Sequence, residues 1–429
     1  MRKPRQSTLL LIVAGIFILS PQAIPCSMFK ITLYGKTMVG NNEDAWQLNS
    51  RIWFEQGGIN KFGCAYVGHA NLFPQGGINE AGLSYDGFTV YPKNLKDLSG
   101  KKKVDNPGAF LKDIMQHCKS VEEVQAFAAQ YDRSVFNNGM LLFIDKSGKY
   151  LVMEVDTMTI GNDEKYVLSN FCPSITPDLN AVPIGRYQRG RKFLENKADT
   201  SLTFCVATMD TMHECRKKMG DGTTYTTIYD LENGLINLYF YHDFKHVVQF
   251  NLAEELKKGD HMLTIPDLFP QNDEYATFSK FSTPFNNTKL RVLVLGTSAA
   301  LVLLTLYFMV FAIRQRFIKR DLGSPSRYAG WLQVFLNLIL VFYLYVLSTT
   351  QPIFYFDAPY AENGKPLINL SSYIPFILLF LFIPVLIQNK RIFERSSWSV
   401  VTRGIFSMNT AVYFGLIILF GYWKLLNLF

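Results

Sequence analysis

Hydrophobic and polar positions are unevenly spread along this chain, and their spacing divides it into three parts. At the start, Arg2, Lys3 and Arg5 precede an apolar run from Leu9 to Leu19, then Ser20 and Pro21. That order of basic, apolar and turn residues predicts a secretory signal over residues 1–25, its apolar run too short for a spanning helix. From residue 26 to about 285 the pattern alternates as strands do. Phe29–Tyr34 is a period-two run, with Gly35-Lys36 as the turn into Thr37-Met38-Val39. Met140–Ile144 and Tyr150–Glu154 flank Asp145-Lys146-Ser147-Gly148 as a second hairpin, and Thr224–Tyr229 and Leu235–Tyr241 flank Glu232-Asn233-Gly234 as a third. Helical stretches intervene. Asn106-Pro107 opens one reaching about Cys118, Ser120-Val121-Glu122-Glu123 is a capping box before Val124–Tyr131, and a third runs from about Arg186 to Asn196. Strand pairs separated by helices predict an α+β domain with helices on antiparallel sheets.

The last third, residues 286–429, holds four apolar segments, near Val292–Ile313, Trp331–Leu347, Tyr373–Ile387 and Ile405–Tyr422. Each approaches the ~20 residues that span a bilayer, the third being short and carrying Pro375 and Pro384. None holds Asp, Glu, Lys, Arg or His. A transport path ordinarily needs such groups, so the segments read as an anchor or docking bundle. Asn337 and Asn409, inside the spans, are expected to hydrogen-bond between helices.

Charge sharpens this division. Of 43 Lys and Arg and 35 Asp and Glu, 13 and 4 lie from Lys289 onward, which leaves 30 and 31 upstream. The net charge of +8 therefore belongs to the membrane segments and gives no support for nucleic acid binding. Arg314, Arg316, Lys319, Arg320 and Arg327 lie between the first two segments, and Lys390, Arg391, Arg395 and Arg403 between the last two. By the positive-inside rule these loops are cytoplasmic, which places the middle domain outside, in agreement with a signal peptide.

Six cysteines occur, with no CxxC pair or metal-ligand spacing. Cys205 and Cys215 are near enough in sequence to bridge a short loop, and Cys64, Cys118 and Cys172 read as core or bridging residues. Cys26 stands where the signal ends. At a mature N-terminus it would supply both a thiol nucleophile and an α-amine, whose ordinary pKa of ~7.7–8.0 suits a base. No histidine is then required, and the six histidines form no pair with a cysteine. His242 and His246, four apart, follow a strand-like run. Ala23-Ile24-Pro25 fits a signal-peptidase site poorly, because Pro precedes the cut. Cleavage after Ala23 leaves Ile24-Pro25 to be trimmed. A lipidated Cys26 is the competing reading, although Ala-Ile-Pro-Cys lacks the small residues of a lipobox.

Cys26-Ser27-Met28-Phe29-Lys30-Ile31 and Gly40-Asn41-Asn42-Glu43-Asp44-Ala45-Trp46 resemble the start of the choloylglycine hydrolase and penicillin V acylase family. Gly77–Leu83, Asp145–Gly148 with Glu154, Val167–Asn170, Arg186–Arg189, Thr223–Thr226 and Tyr239–Phe244 resemble its later elements in the same order, over nearly all of Cys26 to Leu256. The resemblance implies a four-layer αββα N-terminal-nucleophile hydrolase fold acting on non-peptide linear amides. It implies that Cys26 attacks the amide carbonyl, Asp44 holds the α-amine, Asn170 donates to the tetrahedral oxyanion and Arg186 favours the thiolate. Asn41 stands where the family has Arg, and Thr89 where it has Asn or Tyr. These two are candidate substrate-binding or oxyanion positions, and they bear on bile-salt specificity more than on hydrolysis. No cofactor and no metal are expected. The anchor makes a lipid-like N-acyl amide the expected substrate. Acyl transfer to an amine and a catalytically inactive binding or sensory module are the alternatives.

Overall fold

The computed structural model of the protein describes residues 26–91, 100–216, 218–317, 329–361, 365–394 and 399–427. The expected signal peptide, Lys319, Arg320 and Arg327, and Arg395 lie outside these described residues. The chain divides into two compact units after Ser279.

In the first unit, β1 (Ser27–Leu33) and β2 (Lys36–Ala45) form a hairpin. Its turn is Tyr34-Gly35, both at positive φ (52° and 78°), one residue earlier than the Gly35-Lys36 turn expected from the sequence. A two-residue loop with both residues left-handed matches the twist of the flanking strands. A meander follows: β3 (Arg51–Glu55), β4 (Cys64–Gly68), β5 (Pro74–Asn79) and β6 (Ser84–Thr89). The chain then runs through β7 (Lys102–Lys103), α1 (Pro107–His117), α2 (Val121–Ala128), β8 (Tyr131–Asp132), β9 (Gly139–Ile144), β10 (Tyr150–Met153), β11 (Met158–Gly161) and β12 (Lys165–Ser169). Next come α3 (Gly185–Asn196), α4 (Leu202–Met212), β13 (Gly222–Asp230), β14 (Leu235–Phe240), β15 (Asp243–Asn251), α5 (Leu252–Leu256), β16 (His261–Thr264) and α6 (Asp273–Ser279).

The caps work as the sequence indicates. Asn106 accepts from Ala109 N–H at the start of α1, and Ser120 accepts from Glu123 N–H at the start of α2. The Glu123 carboxylate reaches back to Lys119 N–H at 2.8 Å, one residue before the cap. In the β9–β10 hairpin, Asp145 holds the turn through Ser147 N–H and Gly148 takes φ 88°.

Two large antiparallel sheets result, in strand order β12-β1-β2-β13-β14-β15 and β11-β10-β9-β6-β5-β4-β3-β16. Phe110, Leu111, Ile114, Val121 and Val124 of α1 and α2 pack on Tyr66, Tyr85, Phe143 and Leu151 of the eight-stranded sheet. Tyr187, Leu194, Phe204 and Met209 of α3 and α4 pack on Phe29, Ile31, Met38 and Ile228 of the six-stranded sheet. The remaining sheet faces meet each other, so β1 and β2 are buried on both sides. Lys30 shows this meeting: on the face opposite Phe29 and Ile31 it donates to Gly148 O at 2.6 Å, in the other sheet's hairpin. The unit is thus layered helix, sheet, sheet, helix.

The second unit contains α7 (Thr288–Phe317), α8 (Ala329–Thr349), α9 (Pro366–Ser371), α10 (Ile374–Glu394) and α11 (Val400–Tyr422). Among the described residues, four helical stretches are long and apolar enough to cross a membrane: Thr288–Gln315, Ala329–Thr349, Pro366–Glu394 and Val400–Tyr422. The third is longer than its apolar core alone indicated, because α9 precedes it. Asn409 donates to Gln333 at 2.7 Å and Tyr413 O–H to Asn337 at 2.6 Å, so both expected asparagines join α8 to α11. Such bonds and close packing hold helices together where lipid removes the hydrophobic drive. Residues 280–285 belong to this unit, although composition placed the boundary after residue 285. Phe281 packs on Tyr355 at 5.8 Å, Phe285 on Phe354 at 6.2 Å, and Trp423 Nε1–H donates to Ser282 O at 3.0 Å.

Candidate active site

Cys26 precedes β1 and is 6% exposed. The β1–β2 register pairs Ser27 with Asn42, which brings Cys26 beside Glu43. Successive strand residues point to opposite faces, so Glu43 and Asp44 have different neighbours. Glu43 faces the second sheet: the Cys26 thiol donates to its Oε2 at 3.5 Å, and His69 Nε2 lies 3.4 Å from its Oε1. Asp44 faces Arg186 and Thr223, whose hydroxyl donates to Asp44 Oδ1. A β-bulge in β13 between Thr223 and Tyr225 sets these opposite Asp44 and Glu43 respectively. Bulges of this kind re-aim side chains at functional sites.

Asn170, just after β12, gathers the nitrogen side of Cys26. Its Oδ1 accepts from Cys26 N–H at 2.7 Å and from Arg186 Nη2 at 2.7 Å, with Ser169 Oγ at 3.4 Å. Its Nδ2 donates to Thr89 O at 2.8 Å. Donors converge on Oδ1 and a carbonyl faces Nδ2, which fixes the orientation of the amide. Ser169 Oγ also donates to Cys26 O at 2.7 Å, where Arg186 Nε approaches at 3.4 Å.

The four principal sequence candidates, Cys26, Asp44, Asn170 and Arg186, therefore come together, but with contacts other than those the resemblance implied. Asn170, not Asp44, holds the Cys26 nitrogen. The Asn170 N–H is occupied by Thr89 O instead of pointing at an oxyanion position. Arg186 hydrogen-bonds the Cys26 carbonyl and Asn170, and it is near enough to interact electrostatically with the Cys26 thiol. Thr89 takes part through its backbone carbonyl while its side chain is exposed. Asn41 is fully buried on the Glu43 face of β2, and neither polar atom of its amide has a partner among the described residues. Cys205 and Cys215 are free thiols, the first in the core of α4 and the second exposed.

Glu43, His69, Asp86 and Tyr225 were missed in the sequence. All are buried, and His69 Nδ1, Asp86 Oδ2 and Tyr225 Oη have no partner among the described residues. Buried polar atoms are nearly always satisfied, so such a group marks a place built for something further. Electrostatics agree. Burial, then Glu43, Asp44 and Asp86, push the Cys26 thiol well up, and the Asp44 backbone N–H offsets part of this. Burial and Glu43 likewise push Asp86 well up. Burial raises the Asp44 carboxyl from 3.8 to about 8, against the pull of Arg186 and Thr223. Burial also raises Tyr225, so its hydroxyl stays a donor. In this arrangement the thiol is protonated and hydrogen-bonded, and needs a base and a cation to become a nucleophile.

No family model matches the chain, and no curated protein matches it. Among solved structures it is similar to two variants of conjugated bile acid hydrolase from Clostridium perfringens, at 18% and 17% identity and TM-score 0.45, over 58% of this chain and 97% of theirs. It is also similar to penicillin V acylase from Agrobacterium tumefaciens, at 15% identity and TM-score 0.43, over 55% of this chain and 90% of that one. The chemistry of this chain rests on its own side chains.

Proposed function

We propose that the first unit is an N-terminal-nucleophile hydrolase that cleaves a linear amide R–CO–NH–R′ through Cys26. The observation that carries this reading is the treatment of the Cys26 nitrogen: a buried carboxamide oxygen accepts its N–H at 2.7 Å, and the same oxygen is fixed by Arg186. Freed by cleavage before Cys26, that nitrogen becomes an amine beside the thiol.

The reaction then runs as follows. The α-amine takes the thiol proton, and sulfur attacks the carbonyl carbon. The tetrahedral oxyanion needs a donor, and Tyr225 O–H, which interacts electrostatically with Cys26 and has no partner among the described residues, is one candidate, with Asn41 Nδ2 on the same face of β2 as Glu43 another. Collapse returns the proton to the departing amine H₂N–R′ and leaves a thioester on Cys26. Water, deprotonated by the same amine, releases R–COOH. The carboxylates around the thiol keep it unreactive until the amine is free.

The four apolar helices support a membrane-held enzyme, and the basic loops support an extracytoplasmic first unit. A lipid-like N-acyl amide fits that setting as substrate. The test is mass spectrometry of the full chain in detergent, incubated with short- and long-chain N-acyl amides. An acyl adduct on a peptide beginning at Cys26, absent in Cys26→Ala, is expected, with faster turnover of long chains. Unchanged hydrolysis by Cys26→Ala overturns the nucleophile, and equal rates on both chain lengths overturn the lipid-like substrate.

A further inference from the structure

A second cluster of metal-type donors lies in the first unit. It joins three segments distant in sequence: the loop before β13, the β14–β15 turn and the start of α6. Cys215 Sγ, a ring nitrogen of His242 and a Glu274 carboxylate oxygen all lie within 4.8 Å of one another. We propose that these three side chains form a site for one divalent ion of the zinc type.

Three observations carry it. First, the donors suit the ion: a thiolate, an imidazole and a carboxylate are the ligands zinc takes, and with a neutral imidazole their charges balance a dication. Second, the geometry is compact. His242 Nδ1 and Glu274 Oε2 are 3.3 Å apart, and ligands about 2.0–2.1 Å from a tetrahedral zinc are separated by about 3.3 Å. A linear Cys–His–Glu relay, with imidazole between thiol and carboxylate, would hold those two farther apart than this triangle does. Third, the His242 side chain is only 7% exposed, so its ring is held beside Glu274 and not free to turn out into solvent.

The surroundings hold the three segments ready. Asn272 donates to Tyr241 O at 3.1 Å, which ties the start of α6 to the turn. Tyr241 O–H donates to Gly220 O at 2.7 Å, which ties the turn to the Cys215 loop. His213 stacks on His242 at 5.7 Å and fixes its ring plane. His242 and Glu274 also line a surface cleft, which leaves an entry and a place for a fourth ligand from water. The ion would clip these segments together one residue from Glu214, whose N–H donates to the Thr223 hydroxyl that supports Asp44. Its role is therefore structural, bracing one wall of the candidate active site.

The test uses the full chain in detergent, stripped with chelator and titrated with Co²⁺ as a spectroscopic probe, with Zn²⁺ as competitor. One equivalent is expected, with the intense visible bands of tetrahedral cobalt and a thiolate-to-cobalt charge-transfer band. The charge-transfer band disappears in Cys215→Ser, and affinity falls at least about tenfold in Glu274→Gln. The Glu274 side chain is 62% exposed, so that variant folds even if Cys215→Ser does not. Both bands persist in Cys26→Ala, which separates this site from the first. Absence of tetrahedral bands, binding indifferent to Glu274→Gln, or bands lost with Cys26 instead of Cys215 overturns the proposal.

Discussion

Replacing Asn170 by Ala removes the acceptor on which the candidate active site converges. The Cys26 N–H at 2.7 Å and Arg186 Nη2 at 2.7 Å both lose their oxygen inside a buried site. Each unsatisfied donor costs ~1–3 kcal/mol, the charged one at the upper end. The Thr89 carbonyl loses its donor as well, but its strand end is more easily hydrated. The sum is roughly 3–6 kcal/mol, and for a domain of this size each kcal/mol lowers the midpoint by about 2–4 °C. Differential scanning fluorimetry of the detergent-solubilised chain should therefore show a fall of roughly 6–24 °C. Asn170→Asp is the informative partner. It keeps an oxygen facing Cys26 and Arg186 but turns the 2.8 Å contact with Thr89 O into a repulsion, so it should lose less stability than Asn170→Ala. Catalysis should fall further than stability in both, because a 1 Å misplacement of the amine costs ~100-fold. An Asn170→Ala protein within 1 °C of the parent, with unchanged turnover, refutes the reasoning.

Two further outcomes follow from the charges. Burial and then Glu43, 3.5 Å away, hold the Cys26 thiol up, so Glu43→Gln should move the midpoint of Cys26 alkylation against pH downward. An unmoved or raised midpoint contradicts the assignment. The Asp44 carboxyl is raised from 3.8 to about 8, so the neutral form is favoured by folding. With Cys26 still in peptide linkage, the stability Asp44 contributes is complete below pH ~4 and lost as pH rises through about 8. Asp44→Asn should flatten that decline in a pH series of thermal midpoints, and an equally steep decline in the variant removes Asp44 as its source.

Much of the fold was legible because its signals are local. The Asn106 and Ser120 caps, the Asp145–Gly148 turn and the long apolar helices need only neighbouring residues. The layering expected from the family resemblance is present. Cys26, Asp44, Asn170 and Arg186, drawn from the order of motifs in the resemblance, lie together. Legibility failed at Glu43 for a definite reason. A turn at Gly35-Lys36 sets Cys26 opposite Ala45, whereas the observed turn at Tyr34-Gly35 sets it opposite Glu43. A shift of one residue in the turn changes which side chain meets the thiol. His69 and Asp86 come from the other sheet, and Tyr225 from a bulged strand far along the chain. Nothing in local periodicity carries those approaches. The same holds for Cys215, His242 and Glu274, whose spacing matches no metal pattern.

The central claim is that Cys26 works with its own free amine. The direct measurement is the mass and sequence of the N-terminus of the protein purified from membranes. The account predicts a chain beginning at an unmodified Cys26. A retained Ile24-Pro25, an uncut leader or a lipid on Cys26 leaves no free amine beside the thiol and contradicts it.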